Sequence, residues 1–162
     1  MPSSEVIVPF PLDRTFSGAI PAQWVNFEWW VVDPTYGMRC YVPVYNGTGG
    51  TLLANTGVVW KTGVYTGEIV AGGTSDPVVK AAGILEVDLP TGYWCWACRR
   101  GTHAYIADAA VAANAPVTTA LASAAGRFDD TAVAGIEHCL WGRAVAAVAA
   151  AGDTGYMTMA LP

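Results

Sequence analysis

The sequence predicts an all-β protein, a barrel or a sandwich, with an extended N-terminal arm and at most one short helix. Short runs of β-branched and aromatic residues recur at close spacing between glycines and prolines, which is typical of barrels and sandwiches. No amphipathic stretch of helical length separates these runs, and this disfavours a parallel α/β fold. We assign residues 1–50 to the arm or subdomain and residues 51–162 to the barrel-like domain.

The N-terminal segment is too rich in proline to form a helix, because each proline removes a donor and restricts the residue before it. It also carries more aromatic area than a disordered tail normally holds, so we expect it to be buried. The sequence leaves open whether it packs on its own domain or lies across a neighbouring subunit. The candidate interface residues in this segment are Phe10, Phe16, Trp24, Phe27, Trp29 and Trp30.

From Met38 the chain alternates between strand-like runs and turns. Residues 39–45 favour a strand, and residues 46–50, Asn-Gly-Thr-Gly-Gly, tolerate positive φ and predict a loop. Further strand-like runs are found at residues 58–60, 64–65, 68–70, 78–89, 93–98 and 104–106.

Two alanine-rich segments, residues 107–125 and 144–151, have high helix propensity. Asn114, Pro116 and the β-branched residues that follow interrupt the first segment. Gly142 and Gly152 bracket the second, at about nine residues, below the length at which helices stand alone. We therefore allow one short helix.

The chain closes on a segment that alternates as a half-buried strand should. One set of side chains is Tyr156, Thr158 and Ala160, and the other is Met157, Met159 and Leu161.

Charged residues make up only 13% of the chain, against roughly 25% in an ordinary soluble domain. Apolar surface left uncovered tends to mark a partner, so we expect a homo-oligomer. The net charge is −5 and the basic residues are scattered, which argues against nucleic-acid binding. No run approaches the roughly 20 apolar residues of a membrane span, and the start lacks a basic signal-peptide region, so we expect no membrane association.

The four cysteines are expected to be free, buried thiols. Cys95 and Cys98 form a C-x-x-C without a second pair of ligands, and in a strand they point to opposite faces. Cys40, His103, His138 and Cys139 could complete a metal site only in space. We predict no metal, no cofactor and no redox role.

We also predict no catalytic site. His138 beside Cys139 is a weak nucleophile–base pair, since such pairs are spatial rather than sequential. The acids at Asp33 and at Asp129-Asp130 lie in turn contexts, where aspartate accepts hydrogen bonds from its own backbone. Glu86 with Asp88 is a further pair of acids, and the glycines form no phosphate-binding motif.

The aromatic run at residues 93–96 could stack carbohydrate together with Trp60 and Trp141, although core packing is the more conservative interpretation. Alternation places Trp94 and Trp96 on one face and Tyr93 and Cys95 on the other. We therefore add Trp94 and Trp96 to the candidate interface residues.

The last hundred or so residues resemble the head decoration, or cement, proteins of tailed bacteriophages. The resemblance lies in the order of several short sequence segments. The first of them are Gly-Val-Val-Trp-Lys-Thr-Gly at 57–63, Ala-Gly-Ile-Leu at 82–85 and Leu-Pro-Thr-Gly-Tyr-Trp-Cys-Trp at 89–96. The order continues through Gly101, residues 112–117 and 124–128, Trp-Gly-Arg-Ala-Val at 141–145 and the closing strand. The long aromatic N-terminal part has no counterpart in the shortest of these proteins, and Asn114-Ala115 replaces the usual glycine before the Pro-Val step.

The resemblance implies a small β-barrel or β-tulip-like domain that forms a trimer or dimer. It also implies a virion protein, made in the host cytoplasm, that binds the outside of the capsid and bridges subunits of the major capsid protein. Repeated burial of apolar area, about 25 cal/mol per Å², would strengthen the shell without any active site. Two alternatives stay open. One is another β-structural part of the virion, in the tail, fibre or neck, and the other is a carbohydrate-binding β-module.

Overall fold

A computed structural model describes residues 11–25, 27–62, 67–72, 80–119, 126–130 and 140–161, and it confirms the all-β fold class. The strands join in one 11-stranded sheet that curls back on itself. Their bounds are β1 Phe16–Ser17, β2 Trp29–Asp33, β3 Gly37–Asn46, β4 Gly57–Trp60, β5 Glu68–Ala71, β6 Ala81–Leu85, β7 Tyr93–Ile106, β8 Pro116–Thr119, β9 Phe128–Asp129, β10 Leu140–Ala144 and β11 Thr154–Ala160.

Five strands form a first closed ring. Antiparallel pairing joins β5 to β4, β4 to β6, β6 to β7 and β7 to β3. The ring closes where β3 and β5 run parallel, with Tyr45 opposite Glu68 and Asn46 opposite Ile69. A closed ring leaves these strands no free edge, which removes a common route to aggregation.

A second ring uses the far half of β7. Antiparallel pairing joins β7 to β11, β11 to β10, β10 to β8 and β8 to β9. A parallel bridge between Ala107 and Phe128 closes the circuit. The chain therefore builds two barrel-like rings, and both contain β7.

A break in the pairing marks the point where β7 passes from one ring to the other. Tyr41 lies opposite Cys98 and Cys40 lies opposite Arg100, so Arg99 is an extra, bulged residue. Gly101 follows with a φ of 99°, and a Cβ there would lie 2.6 Å from the Met38 carbonyl oxygen. The bulge and this glycine let one strand serve both rings.

The two rings follow one plan with a spacing of 59 residues. The bridge between Leu52 and Leu89 has its equivalent between Val111 and Val148, and both bridges exchange two backbone hydrogen bonds. A register shift between β4 and β6 at Gly83 recurs between β8 and β10 at Gly142. Identical residues at equivalent places are few, and they include Val58 and Val117, Gly67 and Gly126, and Gly83 and Gly142.

Each ring has its own apolar interior. The first is filled by Val44, Val58, Trp60, Ile69, Leu85, Leu89 and Cys95, together with smaller neighbours. The second contains Tyr105, Phe128, Trp141 and Met157. In β3 and β7 the spacing shifts to 61 and 60 residues, and there the side-chain volumes change in opposite senses, because Val44 lies opposite Cys95 whereas Tyr105 lies opposite Gly155. The bulkier tyrosine fits because its partner has no side chain.

The segment before β3 packs on the outside of the first ring through β1 and through a three-residue 3₁₀ turn at Ala22–Trp24. The strand β2 forms a hairpin with β3. The boundary after residue 50 stays a prediction, and β3, which precedes it, pairs within the first ring.

Among the described residues no α-helix is present, so the described parts of the alanine-rich segments, residues 107–119 and 144–151, did not follow their helix propensity. The segment at residues 144–151 instead forms backbone hydrogen bonds with residues of the second ring. Ala144 donates to the Ala115 carbonyl, and Val148 exchanges two bonds with Val111. The closing strand alternates as predicted, with Met157, Met159 and Leu161 buried. The described residues include no helix that is long and apolar enough to cross a membrane.

Candidate functional site

A buried polar cluster lies where the two rings meet, and Glu86 is its centre. Its Oε1 atom accepts a hydrogen bond from the Tyr41 hydroxyl at 2.5 Å and one from Arg39 Nη2 at 2.9 Å. His103 Nε2 lies 3.2 Å from the same oxygen, and His103 Nδ1 lies 2.6 Å from the Ala104 carbonyl oxygen. Both ring nitrogens thus face acceptor oxygens.

Arg39 extends the cluster to the turn between β2 and β3. Its Nη1 atom is 3.2 Å from Asp33 Oδ2, so one guanidinium joins two carboxylates. The guanidinium also lies over the rings of Tyr36 and Tyr41, at 5.4 and 5.3 Å. These contacts fix the turn against both rings of the protein.

Electrostatics favours the charged form of both carboxyl groups. Burial alone would raise the pKa of Glu86, but the hydrogen bonds from His103 and Tyr41 and the charge of Arg39 outweigh it, and that pKa lies below its usual value. Backbone N–H groups of Tyr36 and Thr35 lower the pKa of Asp33, with help from Arg39. Burial raises the pKa of Tyr41, so its phenol stays a hydrogen-bond donor.

The cluster is built to hold elements together. Its carboxylates are already paired with cations, and its members come from β2, β3 and β7 and from the residue after β6. No group of three or more metal-ligating side chains is found among the described residues. A general acid or base needs an accessible partner, whereas Arg39 and His103 are buried.

The thiols of the described region are poorly suited to nucleophilic chemistry. Cys40, Cys95 and Cys98 are free and buried. Burial raises the pKa of Cys40 and of Cys98 to about 12, and the pKa of Cys95 further still. Cys95 lies in the first ring's interior and Cys98 on its outer side, as the strand alternation predicts. His138 and Cys139 lie outside the described residues.

Other acids that the sequence singled out accept backbone hydrogen bonds, and those of Asp33 and Asp129 come from their own local backbone, as predicted. Asp33 accepts from two residues of its own turn, and Asp129 accepts from the N–H of Asp130. Asp130 accepts from Ala112, and Asp88 accepts from Ala54 rather than sharing a site with Glu86. These carboxylates stabilise loops.

Several aromatic residues of the N-terminal segment pack on the first ring of their own chain. Phe16 stacks on Trp94 with ring centroids 4.6 Å apart. Trp24 and Trp29 meet Trp96 edge to face, at 6.3 and 6.5 Å. Of the two arrangements that the sequence left open, the described part of this segment adopts packing on its own domain.

The candidate interface residues therefore fall into different environments. Trp94 and Trp96 are buried, so they present no platform to a carbohydrate or to another protein, and core packing is their role. Trp60 and Trp141 are buried as well. Phe16, Trp24 and Trp29 are half-buried, and Phe10 lies outside the described residues. Phe27 and Trp30 are exposed.

An exposed apolar surface lies on the outer side of the β2–β3 hairpin. It is formed by Trp30, Val32 and Met38, which we call the hairpin face. Val32 is opposite Met38 in the register, and the two are 70% and 60% exposed. The Arg100 guanidinium lies 5.8 Å from the Trp30 ring and borders this face. Contiguous exposed apolar area of this kind is typical of a contact surface.

Sequence reasoning missed the polar cluster and the extent of the hairpin face. Arg39 and Tyr41 are two apart in one strand and so share a face, which was an available signal. Glu86 and His103 were noted only as an acid beside Asp88 and as a possible metal ligand. Their contact with Arg39 and Tyr41 gives no sequence signal, because it depends on the pairing of distant strands.

Comparison with known proteins gives one similarity in fold. No family model matches the chain, and no curated protein matches it either. Among solved structures, the chain is similar to the N base of the head fibre protein gp8.5 of bacteriophage phi29. The TM-score is 0.54 at 14% sequence identity, over 76% of this chain and 95% of that one.

Proposed function

We propose that the protein is a structural component of a tailed-phage virion, bound to the outside of the capsid, where it stabilises the shell by bridging major capsid protein subunits. The observation that carries the proposal is the fold shared with a phage head fibre base, of which 95% is matched. The similarity is one of fold, so the role on the capsid rests on the surface features of this chain.

The hairpin face supports a contact role. Its side chains Trp30, Val32 and Met38 lie exposed on a hairpin whose other side is anchored to the core. A rigid apolar surface loses little conformational entropy on binding, so more of the free energy gained by burying it contributes to affinity. Oligomerisation as a dimer or trimer would multiply the effect, since a complex held at one contact rebinds readily at the others.

The interior chemistry supports a role without catalysis. Glu86 and Asp33 are both paired with Arg39, and the thiols of Cys40, Cys95 and Cys98 are buried with raised pKa values. These groups contribute to the stability of the domain. A capsid protein requires stability of this kind and no turnover.

The test is to mix the purified protein with expanded capsids that lack it and to image the particles. We expect saturable, symmetric density on the outer surface. Val32→Lys should weaken binding at least tenfold, because a charge replaces the centre of the apolar face. Leu53→Lys is the matched control, since Leu53 is also an exposed aliphatic residue, at 50%, and lies far along the chain from the hairpin.

Two results would contradict the proposal. One is the absence of saturable binding to capsids. The other is equal loss of binding in Val32→Lys and Leu53→Lys, which would remove the hairpin face from the contact.

A second candidate is a base that attaches a fibre to the head, and the similarity in fold to a head fibre base favours it. Imaging of the source particle separates the two. A bridging protein gives density between neighbouring capsid subunits all over the shell. A fibre base gives density beneath a projecting fibre.

A further inference from the structure

A groove crosses the outer side of the second ring, between the turn that joins β2 to β3 and the β10–β11 turn. Its volume is about 540 Å³, within the range of about 300–1,000 Å³ that is usual for small-ligand sites. Two tyrosines, Tyr36 and Tyr156, form one wall, and Val145 and Ala146 form another. Thr102 and Thr158 line it from the sheet.

The polar groups of the groove are hydroxyls. Thr102 and Thr158 are opposite each other on β7 and β11, with their Oγ1 atoms 3.3 Å apart. Thr35 adds a third aliphatic hydroxyl, and the two tyrosines add phenols. A hydroxyl both donates and accepts, so this set matches a ligand whose own groups do the same.

The two tyrosine rings supply an aromatic surface beside these hydroxyls. They are stacked, with centroids 5.6 Å apart and an interplanar angle of 24°. Tyr156 lies opposite Ala104 in the register, and this small neighbour leaves space beside the ring. Both rings are more than a third exposed. A sugar ring presents apolar C–H groups on its face and hydroxyls at its rim, which is the pattern that this wall and floor complement.

The groove is held in shape before any ligand arrives. Asp33 Oδ1 accepts hydrogen bonds from the N–H groups of Thr35 and Tyr36, at 2.7 and 2.9 Å. Arg39 forms an ion pair with Asp33 and lies over the Tyr36 ring. Preorganisation lowers the entropic cost of binding, which matters for a shallow site.

We propose that this groove, which we call the tyrosine groove, binds a neutral oligosaccharide. No Lys, Arg, Asp or Glu is among its lining residues, so it offers no cation to a phosphate or to an acidic sugar. An extended peptide could not add to β11, because that strand is paired on both sides, with β7 and β10. Side-chain hydroxyls and tyrosine rings are left as the recognition elements.

The experiment titrates the whole chain with neutral tetrasaccharides of glucose, galactose, mannose and N-acetylglucosamine, and with tetragalacturonate as an anionic counterpart. Saturation-transfer and amide-shift NMR report binding and its place. We expect at least one neutral tetrasaccharide to bind and to shift amides of Tyr36 and Tyr156. Tyr156→Ala should weaken that binding on the order of tenfold, and Thr158→Val, which keeps the shape and loses the hydroxyl, should weaken it severalfold.

Matched controls lie outside the groove. Tyr93→Ala removes a tyrosine that is 38% exposed, close to the 40% of Tyr156. Thr154→Val removes a hydroxyl from β11, the strand that also carries Thr158. Both should bind the tetrasaccharide as the unmodified protein does.

Each contrary result overturns the proposal. These results are no binding by any neutral tetrasaccharide, equal or tighter binding of tetragalacturonate, and unchanged binding in Tyr156→Ala. Weakened capsid binding by Tyr156→Ala without any sugar binding would assign the groove to the capsid contact instead. Because the capsid test uses the hairpin face, either proposal can fail without the other.

Discussion

Asn55 and Asn114 occupy the same position in the two rings. They lie 59 residues apart, and they are the two non-glycine residues with positive φ in the described chain, at 59° and 61°. Each donates its N–H to a backbone carbonyl, Asn55 to Leu85 and Asn114 to Ala144, and those acceptors are also 59 residues apart. One local conformation thus starts β4 in the first ring and β8 in the second.

Replacing either asparagine by alanine should destabilise the protein by about 1 kcal/mol, because a Cβ-bearing residue without a short polar side chain disfavours the left-handed region. Asn55→Gly and Asn114→Gly should keep most of the stability, since glycine adopts this conformation freely. Urea unfolding of the four variants measures the difference. Equal stability of the alanine and glycine variants would contradict the expectation.

Gly83 and Gly142 should tolerate no side chain. A Cβ on Gly83 would lie 2.6 Å from the Cys98 carbonyl oxygen, and one on Gly142 would clash with the Thr158 carbonyl oxygen. Since backbone atoms of a paired strand cannot move aside, we expect Gly83→Ala and Gly142→Ala to cost several kcal/mol or to prevent folding. Gly49→Ala is the control, because a Cβ there meets nothing within 4 Å. Thermal unfolding and soluble yield are the measurements, and near-normal stability of Gly83→Ala would be the contrary result.

Stability should fall in acid partly through Glu86. Its pKa is lowered below 4.5 in the folded protein, so its contribution is present above that pH and is lost as the pH falls through the folded value. Glu86→Gln should lower stability at neutral pH and should flatten the acid limb of the stability profile. Urea midpoints across a pH series test this, with Glu68→Gln as a control for a more exposed ion pair. If stability fell as steeply in acid for Glu86→Gln as for the unmodified protein, Glu86 would not contribute to the acid dependence.

The buried thiols should be unreactive while the protein is folded. In a Cys139→Ser background, Ellman's reagent should label Cys40, Cys95 and Cys98 only as fast as the protein unfolds, since burial disfavours the thiolate. Labelling should become rapid in urea. Rapid labelling of the native protein would show that one of these residues is accessible.

The strand content and the closing strand could be predicted because their signals are local. The alternation at residues 154–161 and the opposite faces of Cys95 and Cys98 both follow from the two-residue period of a strand. The ring closure could not be predicted, because it depends on parallel pairing of β3 with β5. The repeated plan escaped notice because few equivalent residues are identical, and the second ring has alanines where the first has bulkier residues.

The candidate sites were less predictable than the fold. The sequence does not distinguish the exposed Trp30 from the buried Trp96, since both are tryptophans in segments that it predicts to be extended and rich in aromatic residues. The difference arises from which side of each strand meets the rest of the sheet. The tyrosine groove joins Tyr36 to Tyr156, and two residues so far apart along the chain give no sequence signal of their contact.

The continuity of β7 through both rings has a mechanical consequence. Two domains joined by a flexible linker can swivel, and a pull on one reaches the other only after the linker is taut. Here no linker exists, because β7 is a strand of the first ring and continues directly into the second. The contacts of Glu86 with Arg39 and His103 stabilise this junction. A load applied to either ring passes at once to the other, so the pair should resist bending as a single stiff beam.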